Sequence, residues 1–349
     1  MAYSPAEQAA MARALDLATS PGVPLGPNPR VGAVLLAPDG TVVAEGFHRG
    51  AGTPHAEIDA LRQAGDRARG ATAVVTLEPC NHTGRTGPCA VALIDAGVTR
   101  VVYAQSDSNP VAVGGAETLK AAGVDVEGGL MADKARAVNR VWTFAVEHGR
   151  PFVTWKFATT LDGRSAATDG TSRWVSSRAA RLDTHRLRAL CDTILVGTET
   201  VLVDDPRLTV RDEHDHDLPR ERQLLRAVMG VRDLPADRRV LDDAAETVLL
   251  RTRDPHEALA DLFARDRQHV FLEGGPTLAA AFLDAGLVDE VVTYVAPMLL
   301  GAGRAAVADL GIGTIADALH FDVTDVTVLG EGADRNVRLT MSPQRKADD

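Results

Sequence analysis

Cysteine is scarce in this 349-residue sequence, and long apolar runs and an excess of basic residues are absent. Three cysteines cannot build a disulfide framework, and they fit the reducing cytoplasm. No run of about 18 apolar residues and no charged-then-apolar leader is present, so we expect neither a membrane span nor export. The formal net charge of −11 disfavours nucleic-acid binding, which needs a basic surface.

The length of the chain predicts two domains, because 349 residues exceed the usual single domain. Hydrophobic residues make up 45% and charged residues 24%, which is typical of a soluble globular protein. Residues 1–150 carry 13 Lys and Arg against 15 Asp and Glu, and the remainder carries 24 against 33. The helix-breaking cluster His148-Gly149-Arg150-Pro151 lies at this shift. We therefore expect domains at 1–148 and 151–342.

Strands that alternate with helices indicate an α/β sheet with helices on both faces in the first domain. A capping box at Ser4-Pro5-Ala6-Glu7 predicts a first helix that ends near Thr19. Further helices are predicted at about 53–65, 87–97, 117–122 and 132–148. Predicted strands cover 31–36, 42–48, 73–77, 100–104 and 124–127.

The second domain is also predicted to be α/β. A helix should end near Arg188, a loop should cover 198–211, and strands are predicted at 152–160, 193–197, 225–229, 247–250, 270–273, 290–295, 323–329 and 337–341. The segment Val270–Thr277 reads as a strand, a double glycine and a helix start. That geometry directs backbone N–H groups at a phosphate. An ordinary tight turn explains the glycines equally well.

One imidazole and two thiols are the potential metal ligands of the first domain. His55 lies two residues before Glu57, and Cys80 and Cys89 follow a predicted strand. Three such ligands are what a catalytic zinc takes from protein when its fourth position binds water. The pattern His-x-Glu followed by Pro-Cys is the signature of zinc nucleobase deaminases, in which the Glu carries the proton. The alternative is two buried free cysteines and an unrelated histidine.

The run from Glu78 to Cys89 resembles the deaminase of riboflavin biosynthesis, because eight residues separate its two cysteines where cytidine-type enzymes have Cys-x-x-Cys. The resemblance covers nearly all of residues 5–147 and implies a cytidine-deaminase-like three-layer fold. It implies zinc ligation by His55, Cys80 and Cys89 and proton transfer by Glu57. It also implies substrate contacts by Asn28, His48, Arg85 and Asn109. Two positions depart from the family pattern, since Arg85 and Gly87 stand where Lys and Pro are expected.

Three of these residues have an alternative, purely structural interpretation. Asn28 and Asn109 could equally be loop residues that form local turn bonds. His48 ends a predicted strand and could be a surface histidine.

The second domain resembles the pyrimidine reductase of riboflavin biosynthesis. The resemblance rests on Trp155–Gly163, Ile194–Gly197, Asp204–Arg211 and Glu273-Gly274-Gly275. It implies a dihydrofolate-reductase-like fold and NADPH as cofactor. The implied NADPH contacts are Ala158, Trp174, Thr200, Asp204, Gly275, Pro276, Thr277, Leu278, Ala279, Ala280 and Ala281. The implied contacts to the sugar phosphate are Ser172, Arg188, Leu208, Arg211 and Glu273. Lys156 lies among apolar residues, so it either extends to solvent or, as we favour, faces the substrate.

Together the two resemblances predict a bifunctional enzyme that uses Zn²⁺ and NADPH on a pyrimidine ribose-phosphate. We expect a cytoplasmic homo-oligomer that binds neither nucleic acid nor membrane. One alternative is a degenerate first domain that binds a ligand and regulates the reductase. Another is a deaminase of free nucleosides or an RNA base, which the eight-residue gap and the acidic balance disfavour. The acidic and histidine-rich run Asp212–Asp217 is expected to be a solvated loop rather than a second metal site.

Overall fold

The structure is a computed structural model that describes residues 3–20, 26–82 and 87–344. The chain divides into two compact units, Met1–Gly149 and Arg150–Asp349. Within the described ranges, no helix has both the length and the apolar character that crossing a membrane requires.

The first unit is built on a five-stranded sheet of order β2-β1-β3-β4-β5. Strand β1 is antiparallel to β2 and β3, and β3, β4 and β5 are mutually parallel. The strands are β1 (Gly32–Leu36), β2 (Val42–Phe47), β3 (Thr72–Leu77), β4 (Arg100–Gln105) and β5 (Asp125–Gly128). The helices are α1 (Pro5–Ala18), α2 (Ala56–Ala64), α3 (Cys89–Asp95), α4 (Gly115–Ala121), α5 (Ala132–Val138) and α6 (Arg140–His148).

Both faces of this sheet are covered, which makes the unit three-layered. Strand β1 is buried along its whole length, and its side chains alternate between two hydrophobic clusters. Ala33 and Leu35 pack against the helix that carries Ala56 and Ala60, whereas Val34 and Leu36 pack on the opposite face. The continuous apolar run of β1 follows directly from burial on both sides.

Two predicted helix boundaries in the first unit were wrong. The helix predicted at 132–148 is two helices separated at Asn139. The Asn139 side-chain amide accepts a hydrogen bond from the Arg30 backbone N–H at 2.8 Å and donates to the Arg30 carbonyl at 2.9 Å. Pro88 lies at the cap position of α3 rather than inside it, so Cys89 is the first helical residue.

The second unit contains an eight-stranded sheet of order β10-β9-β8-β11-β6-β12-β15-β14 and a two-stranded sheet formed by β7 and β13. The strands are β6 (Phe152–Thr160), β7 (Arg164–Ala166), β8 (Thr193–Gly197), β9 (Leu225–Met229), β10 (Thr247–Leu250), β11 (His269–Leu272), β12 (Glu290–Ala296), β13 (Arg304–Ala305), β14 (Phe321–Leu329) and β15 (Asn336–Pro343). The helices are α7 (Arg178–Arg188), α8 (Thr198–Asp204), α9 (Pro255–Ala264) and α10 (Pro276–Asp284).

Six neighbouring strands of the large sheet, β10 to β12 in sheet order, are parallel, and β15 is antiparallel to both β12 and β14. The segments that follow the parallel strands therefore meet at one edge of the sheet, where α/β proteins place their ligands. The prediction of a loop throughout 198–211 was wrong, because Thr198–Asp204 is helix α8. Val201 of that helix is fully buried, and Asp205 ends the helix in the left-handed conformation with φ 40°.

Gly46 lets helix α2 lie directly on strand β2. A Cβ atom at this position would lie 2.3 Å from the Ala56 carbonyl oxygen and 2.5 Å from the Ala60 nitrogen. We predict that Gly46→Ala lowers the free energy of unfolding of the first unit by about 1–3 kcal/mol, because the helix must move away from the strand. Urea unfolding measures this change. Gly313→Ala is the control, since a Cβ there meets no atom within 4 Å, and an equal loss in both variants would contradict the steric explanation.

Candidate active sites

Three side chains that are distant in sequence meet at the helix starts of the first unit. His55 is the cap residue of α2, Cys80 lies beyond the end of β3, and Cys89 opens α3. The His55 Nδ1 atom lies 3.3 Å from the Cys89 Sγ and 3.6 Å from the Cys80 Sγ. All three potential ligand atoms lie within 4.8 Å of one another, and both thiols are buried.

These distances fit a tetrahedral zinc. Zn–S and Zn–N bonds of about 2.3 and 2.0 Å place tetrahedral nitrogen and sulfur ligands roughly 3.5 Å apart. The thiols also have the required chemistry. A hydrogen bond from Cys89 and the adjacent His55 lower the pKa of Cys80 to about 4, and the neighbouring Cys80 sulfur raises the pKa of Cys89. A cation bound between them favours the thiolate form of both.

Glu57 is the second residue of α2 and lies beside this cluster. Its side chain is buried, and burial raises its pKa to about 7. A carboxyl group with such a pKa can accept and donate a proton near neutral pH, which general acid–base catalysis requires. His55, as the cap residue, and Glu57, in the first turn, are therefore presented together by the N-terminus of one helix.

The predicted substrate residues Asn28 and His48 also lie together. The Asn28 Nδ2 is 3.0 Å from the His48 Nε2, and the His48 Nδ1 is 3.0 Å from the Pro54 carbonyl oxygen. The Pro54 carbonyl requires a proton on Nδ1, so Nε2 accepts from the Asn28 amide. Burial lowers the pKa of His48, which keeps this neutral tautomer. The possibility of a surface histidine was wrong, since His48 is only 4% exposed and its ring contacts that of His55.

Asn109 forms the local bonds of a turn. Its backbone N–H donates to the Asp107 carboxylate at 2.8 Å, and its side-chain oxygen accepts from the Val111 N–H at 3.1 Å. Asp107 was not identified from the sequence, although it is buried and burial raises its pKa to about 6. Arg85 lies outside the described residues.

A second feature missed from the sequence is the packing of α4 on the Glu78-Pro79-Cys80 segment. A Cβ atom at Gly115 would lie 1.7 Å from the Pro79 carbonyl oxygen, so only glycine fits there. Gly114 before it has φ 98°. The Glu78 carboxylate accepts a hydrogen bond from the Ala116 N–H at 3.0 Å, which fixes the segment that ends in Cys80. The double glycine ahead of a predicted helix was the available signal.

The second unit contains a cavity of about 1420 Å³ at the edge where its parallel strands end. Fifteen of the seventeen residues predicted to contact cofactor or sugar phosphate line it: Lys156, Ala158, Ser172, Trp174, Arg188, Thr200, Asp204, Leu208, Arg211, Glu273, Gly275, Pro276, Thr277, Leu278 and Ala281. Ala279 is instead buried in the hydrophobic core, and Ala280 does not line the cavity.

The cavity provides a cradle for a dinucleotide phosphate. Gly275 caps helix α10, and a Cβ atom at this position would meet no atom within 4 Å. Its backbone is therefore open for close approach at a helix start, where N–H groups favour an anion. This geometry fits NADPH.

A buried charge network lies on the floor of the cavity. The Arg188 guanidinium donates to both Glu273 carboxylate oxygens, at 2.5 and 3.0 Å, and to the Thr209 carbonyl oxygen at 2.8 Å. The Lys156 Nζ lies 3.7 Å from the same carboxylate. Burial opposes the ionisation of Glu273, but Arg188 and Lys156 outweigh it and lower the Glu273 pKa to about 2. Lys156 thus faces the cavity, and Arg188 mainly orients Glu273.

Arg211, another predicted ligand of the sugar phosphate, forms ion pairs within the loop that follows it. Its guanidinium lies 3.1 Å from Asp215 and 3.2 Å from Asp217. His214 and His216 in this loop are exposed, and His55, Cys80 and Cys89 form the only metal-type cluster found in the described parts of the chain. The acidic run is therefore a solvated loop that holds Arg211.

Two family models match the chain. The cytidine and deoxycytidylate deaminase zinc-binding region matches residues 4–105, and the RibD C-terminal domain matches residues 151–333. The fold and both sites thus define an enzyme that combines a zinc-dependent deaminase with a reductase.

Similar proteins identify the family. The riboflavin biosynthesis protein RibD of Mycobacterium tuberculosis is 52% identical over 305 residues, which cover 87% of this chain and 89% of that protein. The Acinetobacter baumannii RibD structure (form 1) matches with a TM-score of 0.87 and 39% identity, over 97% of this chain and 99% of that one. The chain belongs to the RibD family.

A third relative, from Thermotoga maritima, is named diaminohydroxyphosphoribosylaminopyrimidine deaminase/5-amino-6-(5-phosphoribosylamino)uracil reductase. It matches with a TM-score of 0.82 and 31% identity, over 97% of this chain and 99% of its own. The predicted fold classes and the bifunctional activity in riboflavin biosynthesis are confirmed, with Zn²⁺ and NADPH as cofactors.

We predict that Cys89→Ala reduces bound zinc from about one ion per chain to a small fraction of that value, because two protein ligands do not retain a catalytic zinc. Elemental analysis by mass spectrometry measures the content. Cys191→Ala is the matched control, since Cys191 is a buried thiol of the second unit whose Sγ bonds the Leu187 carbonyl oxygen. Substoichiometric zinc in the unmodified protein would instead favour a degenerate first unit.

Proposed function

We propose that the first unit deaminates 2,5-diamino-6-ribosylamino-4(3H)-pyrimidinone 5′-phosphate and that the second unit reduces the ribosyl side chain of the product to ribityl. The product is then 5-amino-6-ribitylamino-uracil 5′-phosphate. The Thermotoga maritima relative is named for these two steps. The observation that carries the proposal is the meeting of His55, Cys80 and Cys89 beside the buried Glu57.

In the deaminase, His55, Cys80 and Cys89 hold the metal. When bound, zinc supplies the Lewis acidity that makes water nucleophilic near neutral pH. Glu57 takes a proton from the attacking water as the C–O bond forms at the amino-bearing carbon. It then gives a proton to the departing nitrogen as the C–N bond breaks and ammonia leaves. The raised pKa of Glu57, about 7, suits both transfers.

The substrate is oriented by residues around the metal ligands. Asn28 and His48 contact the pyrimidine, and their mutual hydrogen bond fixes the Asn28 amide. Asn109 contributes from the turn after β4, and Arg85 provides positive charge for the ribose phosphate.

In the reductase, NADPH supplies the hydride that reduces C1′ of the sugar. Gly275 and the following residues of α10 hold the dinucleotide, with further contacts from Ala158, Trp174, Thr200 and Asp204. Lys156 and Glu273 contact the sugar, and Arg188 fixes the carboxylate of Glu273. Ser172, Leu208 and Arg211 complete the sugar-phosphate site.

We further propose that the deaminase occupies residues 1–148 and the reductase 151–342, and that the enzyme is a cytoplasmic homo-oligomer acting on small molecules alone. The two compact units and the family-model match over residues 151–333 support the domain bounds, and the few cysteines and the acidic composition support the location and the absence of nucleic-acid binding.

We predict that Glu57→Gln lowers the rate of ammonia release by about 10²–10⁴-fold, because the amide cannot carry the proton. Zinc content should not change, since Glu57 is not a ligand, and NADPH oxidation with the already deaminated substrate should continue. Ammonia release and NADPH absorbance measure the two steps. Loss of both activities would contradict separate sites.

The reciprocal variant is Glu273→Gln. It should impair NADPH oxidation with the deaminated substrate by at least about tenfold, because Arg188 and Lys156 lose their counter-charge. Ammonia release from the diamino substrate should be unchanged.

The substrate of the deaminase is tested with the unmodified protein. Ammonia release from cytidine at a rate comparable to that from the diamino substrate would overturn the proposed substrate and favour a nucleoside deaminase.

A further inference from the structure

The cavity of the second unit extends along the sheet beyond the proposed hydride-transfer region. Lys156 belongs to β6 and Glu273 follows β11, whereas the far end is lined by segments after β9 and β10. In sheet order β10 lies three strands from β11, roughly 14 Å away at the usual strand spacing. Gly275 at the start of α10 lies next to β11 and suits the pyrophosphate.

A dinucleotide whose nicotinamide lies beside Lys156 and Glu273, and whose pyrophosphate lies at Gly275, must therefore extend its adenosine half towards β9 and β10. Gly230, directly after β9, allows the chain to pass close to Thr198, and both residues line the cavity. Gly230 has φ 142°, and a Cβ atom on it would lie 2.7 Å from the Thr198 hydroxyl oxygen. Gly230 also donates to the Leu250 carbonyl at 3.0 Å, which holds the ends of β9 and β10 together.

Two arginines line this far end, Arg232 after β9 and Arg253 after β10. Arg253 is exposed and has no hydrogen-bond or ion-pair partner within residues 3–20, 26–82 and 87–344. Arg232 pairs with Glu199 at 2.5 Å, but both side chains are more than half exposed, at 51% and 64%. Such an exposed pair is weak, so a doubly charged phosphate can compete for the guanidinium.

Arg173, Arg181 and Arg304 line the cavity on other segments, and four further arginines of the cavity have acidic partners. Arg188 is held by Glu273, Arg207 by Asp217, Arg211 by Asp215 and Asp217, and Arg239 by Asp205. Arg251, next to the far end, does not line the cavity. Of the arginines that line the cavity after β9 and β10, Arg239 is bound by both the carboxylate and the carbonyl oxygen of Asp205, which leaves Arg232 and Arg253 for an anion at this end.

We propose that Arg232 and Arg253 bind the 2′-phosphate of the adenosine ribose and thereby select NADPH over NADH. Glu199 opposes them, because a carboxylate at this position repels a phosphate and can accept a hydrogen bond from the free 2′-hydroxyl of NADH. The preference for NADPH thus results from two guanidinium groups, whose attraction for the phosphate exceeds the repulsion by the Glu199 carboxylate. The inference rests on the proposed function of the second unit.

The test is calorimetric titration of the full-length protein with NADPH, NADH, 2′,5′-ADP and 5′-AMP, without pyrimidine substrate. The unmodified protein should bind NADPH more tightly than NADH. Arg253→Gln should weaken NADPH and 2′,5′-ADP by about tenfold, the loss of one charge-assisted hydrogen bond, and should change NADH and 5′-AMP by less than about twofold. Adding Arg232→Gln should remove most of the remaining preference.

Glu199→Gln should act in the opposite direction and strengthen NADPH binding several-fold, because it releases Arg232. Arg265→Gln is the charge-matched control, since Arg265 pairs with Asp261 on α9 and does not line the cavity. Equal weakening of NADPH and NADH in the Arg253 variant, or the same effect in the control, overturns the inference. If the unmodified protein binds NADPH and NADH equally, the inference is wrong but the proposed reductase is not affected. If it binds neither dinucleotide, the proposed reductase is wrong as well.

Discussion

The close approach of the His55 imidazole to two sulfur atoms is the constraint on which the first unit depends. The ligands come from the cap of α2, the end of β3 and the start of α3, so three separately folded segments must meet within 4.8 Å. Several contacts that are themselves remote from the chemistry make this possible. Gly46 seats α2 on the sheet, and Gly115 with Glu78 fixes the segment that ends in Cys80.

The cavity of the second unit depends instead on a buried group of paired charged side chains. Glu273 remains ionised although it is buried, because Arg188 binds it through two nitrogen atoms and Lys156 lies nearby. Burying such a group costs free energy that only paired, well-oriented partners offset. Its place directly after a buried parallel strand gives that group a fixed position at the strand edge, against which a substrate and cofactor can be aligned.

Sequence patterns predicted the elements better than their junctions. Residues 152–160 and 193–197 were predicted as strands with the bounds that the structure has, because both segments are rich in the β-branched and aromatic residues that favour strands. Asn139, by contrast, divides a helix through bonds to Arg30, 109 positions away, and no local pattern reveals such a contact. Helix α8 was missed because its stabilisation comes from the burial of Val201 rather than from local propensity.

The sites divide in the same way. The meeting of His55, Cys80 and Cys89 beside Glu57 could be predicted, because metal binding requires particular residue types at particular spacings. Asp107 could not, since its raised pKa arises from burial that only the fold creates. The proposed role of Arg253 likewise rests on the lack of an acidic partner for its side chain within the described residues. The sequence alone does not show which acids lie near it. The individual roles of the substrate and cofactor residues stay predictions.

One consequence follows from the single residue that separates His55 from Glu57 at the start of α2. His55 caps the helix and Glu57 lies in its first turn, so a displacement of α2 as a whole moves the imidazole and the carboxyl group together. The relative position of these two groups is thereby set locally, whereas their distance from the two sulfur atoms still depends on how α2 and α3 pack. Diversification towards another amino-bearing ring must then proceed through the surrounding loops, which can lengthen and vary while the reaction itself is inherited intact.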